Sequence, residues 1–168
     1  MRAHEAQFRD FVVSSQSRLL AFAELVTADR GRAEDLLQEG YLAAYAAWPR
    51  IRDRSPEAYV RRCIVNGRIT WWRRRSSHER PVEEIRQLPR QTIPDYSEEI
   101  DQRLLVLAAL RRLTVRERAV VALRFYVGLS EAQIAAELDI AAGTVKSTAS
   151  RAVAKLRDDS LLREGVTK

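Results

Sequence analysis

Between Tyr59 and Arg75 six arginines (Arg61, Arg62, Arg68, Arg73, Arg74 and Arg75) are interleaved with Tyr59, Trp71 and Trp72. Guanidinium groups hold phosphates, and flat rings replace the stacking that a base loses when its partner is removed. The combination suits nucleic-acid binding. A second group lies near the end of the chain, where Lys146, Ser147, Ser150 and Arg151 occur with no acid from Lys146 to Arg157. These side chains are short or basic, as entry into a major groove requires. Other chemistry is poorly provided for. Cys63 is the single cysteine, which excludes an internal disulfide and a multi-cysteine zinc site. His4 and His78 stand alone, and neither a phosphate-cradling glycine loop nor a nucleophile motif occurs. No metal, no cofactor and no enzymatic activity are expected.

These groups need elements to position them. Ser55-Pro56-Glu57 suits a helix start, with Ser55 as cap and Pro56 at the first position, and the helix is expected to reach Arg75 with Val60, Ile64, Gly67 and Trp71 inward. Adjacent tryptophans on a helix diverge by about 100°, so Trp71 is expected inside and Trp72 outward. Upstream, Phe8, Phe11, Val12, Leu19, Leu20, Ala23 and Val26 recur at helical spacing. Thr27 to Gly31 breaks that helix, with Gly31 suited to the turn. Leu36, Leu37, Tyr41, Ala44, Tyr45 and Trp48 form a second apolar face that Pro49 is expected to end. Leu104 to Leu113 reads as a short apolar helix. Thr114 with Glu117 and Ser130 with Gln133 read as capping boxes, and Gly128 as a helix end. No segment alternates with period two, so the fold class is all-α.

In 129–157, LSEAQIAAELDIAAGTVKSTASRAVAKLR, a helix from Ser130 places Ile134, Ala135 and Leu138 inward, and a turn follows at Asp139. A longer helix from about Ala142 turns Val145, Ala149, Ala152, Val153 and Leu156 toward the first and leaves the basic group outside. This is helix-turn-helix patterning.

Charge divides the chain further. Residues 50–75 hold nine arginines against Asp53 and Glu57, whereas 76–101 hold seven acids against three arginines, with Pro81, Pro89 and Pro94. The prolines deny that stretch a continuous helix, so it reads as an acidic linker at 76–101 between domains at 1–75 and 102–168. Each domain is small enough for a marginal core, so stability depends on partners. Of the 168 residues 46% are hydrophobic, enough to exclude a wholly disordered chain. The longest apolar run, Leu104–Leu110, is seven residues, short of the ~20 a bilayer needs. The charged start MRAHEAQFRD is unlike a signal peptide, so no membrane insertion and a cytoplasmic setting are expected.

LSEAQIAAEL followed by GTVKS and SRAVAKLR resembles region 4 of the bacterial RNA polymerase sigma factors, in the extracytoplasmic-function (ECF, group 4) class of the sigma-70 family. RAEDLLQEGYLAAYAAW resembles region 2, and RSPEAYVRRCIVNGRITWWRRR its promoter-melting segment. Two positions depart from the family pattern: Asp139 stands where a turn glycine is usual, and Ala141 where a serine cap is frequent. The resemblance implies two small helical domains, a region 2 bundle and a region 4 helix-turn-helix. Larger members carry a further C-terminal domain, and with so few residues after Arg157 none is expected here.

The resemblance also implies roles. Asp35, Leu36, Gln38 and Glu39 match the core-polymerase-binding motif. Arg61, Arg62, Asn66, Arg68, Trp72, Arg73, Arg74 and Arg75 match the segment that recognises and melts the −10 element, and the Pro49–Pro56 loop matches a pocket for a flipped base. Thr144, Lys146, Ser147, Ser150, Arg151 and Lys155 match the −35 reader, and Arg111, Arg112 and Arg116 are either backbone contacts or ordinary surface residues. The linker matches a segment that crosses the polymerase, as an RNA mimic or a solvated tether. The implied partners are core RNA polymerase, promoter DNA and an anti-sigma factor. Two other readings stay open at this level: a stand-alone helix-turn-helix regulator acting without polymerase, and a protein-interaction module that does not bind DNA.

Overall fold

The computed structural model describes the backbone of residues 2–76 and 98–158 and the side chains of 4–67 and 102–158. Seven α-helices follow in order: α1 Arg2–Thr27, α2 Arg30–Ile51, α3 Pro56–Ser76, α4 Glu98–Leu110, α5 Val115–Val121, α6 Glu131–Leu138 and α7 Ala142–Arg157. A π-helical turn, Ala122–Tyr126, continues α5. Among the described residues there is no strand, and no helix is long and apolar enough to cross a membrane. The all-α reading holds.

Local signals set most helix ends. Thr114 and Glu117 form a reciprocal capping box at α5, and Ser130 and Gln133 form another at α6. Gly128 takes a positive φ of 81° after the π-helical turn, which a side chain would resist.

Three ends depart from expectation. Gly31 lies inside α2, because Asp29 is the cap and accepts from the Arg32 amide at 2.8 Å. The left-handed residue of that corner is instead Ala28, with φ 53°. Pro49 does not end α2, which runs on to Ile51. Near a C-terminus a proline forfeits one hydrogen bond, and Arg52 N–H still reaches the Trp48 carbonyl at 3.0 Å. Helix α4 stops at Leu110 and not at Leu113, since the chain must become extended at Thr114 to cap α5.

Helices α1, α2 and α3 pack as a bundle around Leu19, Phe22, Ala23, Val26, Leu36, Leu37, Ala44, Val60 and Ile64. At its outer end Phe8 and Phe11 of α1 meet Tyr41 and Trp48 of α2, with ring centroids 5.1–6.4 Å apart. Helices α2 and α3 approach closely at Gly40, where an added Cβ would stand 3.0 Å from Val60 Cγ1.

The second half does not stand apart. Ala119, Val120, Leu123, Ile134, Val145 and Ala149 belong to the same buried cluster as the bundle residues. The buried Arg118 guanidinium donates to the carbonyls of Val26 at 2.7 Å, Leu113 at 2.8 Å and Leu110 at 3.1 Å, joining the ends of α1 and α4. Arg103 of α4 pairs with Glu24 of α1. Each half thus completes its small core against the other.

Candidate nucleic-acid interface

Helix α2 presents Asp35, Gln38 and Glu39 to solvent on one face. Leu36 is placed otherwise: it is 7% exposed and belongs to the core, against which α3 packs at Gly67. Leu42, seven residues after Asp35 and 72% exposed, extends the polar face with an apolar side chain that periodicity alone did not single out.

On α3 the positions 59, 62 and 66 share a face. Arg62 and Asn66 are exposed, and the Arg62 guanidinium sits 6.0 Å from the centroid of the half-buried Tyr59 ring. Cation, ring and amide stand together as binding to an unpaired strand requires. Arg61 is turned away from them. Its Nε donates to Glu137 Oε1 at 2.7 Å and its Nη2 to Glu137 Oε2 at 2.8 Å, with the side chains 10% and 8% exposed. Val60 and Ile64 are fully buried, as the inner stripe predicted. Cys63 is half-buried, and burial pushes its thiol above the ordinary value against a smaller opposing effect of Arg62. The side chains of Arg68, Trp71, Trp72, Arg73, Arg74 and Arg75, and the linker residues 77–97, lie outside the described residues. The turn after α2 is short, because residues 49–51 are helical.

Helices α6 and α7 form the expected helix-turn-helix. Asp139 takes the left-handed conformation at φ 53°, ψ 52°, and its N–H reaches the Ala135 carbonyl. Asp tolerates this geometry better than most residues, which explains the chain's departure from glycine. Ala141 occupies the α7 cap position with no side-chain hydrogen bond. Val145 and Ala152 are fully buried and Ala149 nearly so, leaving Lys146, Ser147, Ser150 and Arg151 exposed and Thr144 half-buried at the helix start. Lys155, on the last turns, donates to both oxygens of Glu117. Arg111, Arg112 and Arg116 are all exposed, and Arg111 also donates to the Ala28 carbonyl at 3.2 Å.

Two contributors escaped sequence reading. Thr148 is 1% exposed and lies with the inner face of α7. Glu137 falls three residues after Ile134 on the inner face of α6, and an acid at such a position signals a buried partner. Among the described residues no group of His, Cys, Asp and Glu is arranged to hold a metal ion.

Residues 11–78 match the family model for sigma-70 region 2, and residues 103–156 match the model for sigma-70 region 4. The chain is 38% identical over 159 residues to the RNA polymerase sigma-E factor of Streptomyces coelicolor, covering 94% of this chain and 88% of that protein. It is 37% identical over 153 residues to the ECF RNA polymerase sigma factor SigL of Mycobacterium tuberculosis, covering 89% and 86%. Among solved structures, the sigma factor RpoE in complex with the anti-sigma factor NepR from Bartonella quintana has a similar fold. The TM-score is 0.71 at 24% identity, over 96% of this chain and 98% of that one.

Proposed function

This chain belongs to the ECF RNA polymerase sigma factors of the sigma-70 family, non-enzymatic factors of transcription initiation, and we propose how its surfaces divide that work. The α2 face of Asp35, Gln38 and Glu39 docks on core RNA polymerase. The α3 face, with Tyr59, Arg62 and Asn66, and the following residues Arg68, Trp72, Arg73, Arg74 and Arg75, recognises the −10 element and holds it open. Cations there neutralise phosphate while rings replace lost stacking. Helix α7 enters the major groove of the −35 element with Thr144, Lys146, Ser147, Ser150 and Arg151, where Arg151 can fork onto a guanine. Polymerisation chemistry stays with the partner enzyme, and the protein works in the bacterial cytoplasm.

The observation that carries this reading is the exposure of Lys146, Ser147, Ser150 and Arg151 on α7, with the same helix's apolar face buried. The family matches in the order region 2, region 4 support the division of labour. An anti-sigma factor is a further proposed partner, since the solved sigma factor RpoE of similar fold is in complex with the anti-sigma factor NepR, and CnrH, also of similar fold, is in complex with the cytosolic domain of CnrY. The test is promoter-specific run-off transcription with purified core polymerase. Transcripts that start at one defined site only when the protein is added are expected. Failure to bind core, or transcription no different from core alone, overturns the reading.

A further inference from the structure

Arg61 is matched to the melting segment, yet its guanidinium is committed within the protein. Glu137 meets it with two parallel N–H···O contacts at 2.7 and 2.8 Å, the fork geometry with which arginine also grips phosphate. Neither side chain is more than a tenth exposed. Glu57 is a weaker second partner: its Oε2 lies 4.0 Å from the Arg61 guanidinium, while its Oε1 accepts from Arg18 at 2.5 Å. The pair bridges α3 of the bundle and α6 of the helix-turn-helix, 76 residues apart in the chain. Other polar contacts between the halves include Arg118 on the Val26 carbonyl, the Tyr126 hydroxyl on the Arg18 carbonyl and the Arg103–Glu24 pair, whose residues have no assigned DNA role, and Arg111 on the Ala28 carbonyl. A buried ion pair adds little net stability over apolar residues, and its physical value is to fix register or to act as a switch.

We propose that Glu137 is a built-in competitor for nucleic-acid phosphate: in the free protein it clamps Arg61, holds the two halves together, and yields Arg61 to DNA only when they part. This rests on the assignment of Arg61 to the melting segment. Binding to a state of which only a fraction is competent weakens the apparent affinity by that fraction, so the clamp lowers the affinity of the free protein for DNA. Whatever parts the two halves removes that penalty at the same moment.

The test uses the full chain with Cys63→Ser and dyes at Val13→Cys and Ala154→Cys, both exposed positions in different halves. Arg61→Glu and Glu137→Arg should each lower energy transfer between the dyes, and the double exchange should restore it. Unchanged transfer in both single variants overturns the clamp. So does a double exchange that fails to restore transfer, because the loss then reflects general damage. In a second measurement a fluorescent single-stranded oligonucleotide is titrated with free protein. Glu137→Gln should bind it roughly threefold to tenfold more tightly, and adding Arg61→Gln should abolish the gain. Equal binding by wild type and Glu137→Gln overturns the competition. The dye measurement needs neither promoter nor polymerase, so its outcome is separate from the success or failure of run-off transcription.

Discussion

Lys155 donates to both carboxylate oxygens of Glu117, at 2.9 and 3.0 Å, and thereby ties the last turns of α7 to the first turn of α5. The same carboxylate accepts from the Thr114 amide at 2.8 Å to close the α5 capping box. One buried acid therefore serves a local cap and a contact 38 residues away. Lys155, matched to the −35 reader, is held against the scaffold while Lys146 and Arg151 remain outward.

This relationship has a pH signature. Burial is the largest single influence on Glu117 and raises its pKa. The Lys155 hydrogen bond and charge, with the hydrogen bonds at Thr114, together outweigh it and hold the group below its ordinary 4.5. A lowered folded-state pKa contributes stability that is complete above the unfolded value and is lost as pH falls through the folded one. Glu117→Gln keeps a capping-box side chain and removes the charge. It should cost about 1 kcal/mol near neutrality, a figure restrained by the exposure of Lys155. Urea melts should show the gap between wild type and variant closing as the pH falls below the ordinary carboxylate range. A gap independent of pH would mean that charge is not its source.

The helix-turn-helix carries two local costs. Asp139 is a non-glycine residue at positive φ, and Ala141 caps α7 without a side-chain hydrogen bond. Asp139→Gly and Ala141→Ser should each stabilise the protein, by roughly 0.5–1 kcal/mol. The two sites are close, so additivity needs measuring with the double variant. Thermal melts check both. Destabilisation by Ala141→Ser would place the start of α7 in another geometry.

Neighbouring positions on α2 should separate stability from docking. Leu36→Ala removes a side chain that is 7% exposed within the core and should cost about 2–3 kcal/mol. Asp35→Ala should leave denaturation unchanged while weakening association with core polymerase, read by gel filtration or fluorescence anisotropy. If Asp35→Ala bound core like wild type, the docking face would lie elsewhere.

The α3 face makes a prediction about template state. Asn66→Ala combined with Trp72→Ala removes an exposed amide and a ring that can stack on a base, a contact worth about 1–3 kcal/mol. Open-complex formation on duplex promoters should fall roughly tenfold, with a smaller loss on pre-melted templates. Equal losses on both templates would assign these residues to binding and not to melting.

What could be read from the chain alone was local. The caps at Thr114 and Ser130, the turn at Asp139 and the inner stripe Val60–Ile64 depend on residues three or four positions apart, within one turn of helix. The outward face of α7 follows from the same periodicity, because burying Val145, Ala149 and Ala152 leaves Lys146, Ser147 and Arg151 nowhere else to point. The end of α2 was misjudged for the opposite reason, since a proline rule ignores how little one hydrogen bond costs in a last turn.

Partners distant in the chain were beyond that reach. Arg61, Glu137 and Arg118 are charged, and charge alone predicts an exposed residue. Their burial was decided when the helix-turn-helix half settled on the bundle, where Arg61 found Glu137 and Arg118 found the carbonyls of Val26, Leu110 and Leu113. The sequence by itself determined which helices form, where they are capped and which faces carry basic and aromatic groups, since those follow from spacing. Only the tertiary structure decided which cations are free to meet DNA, because a charge may leave water only where another part of the fold supplies its counterpart.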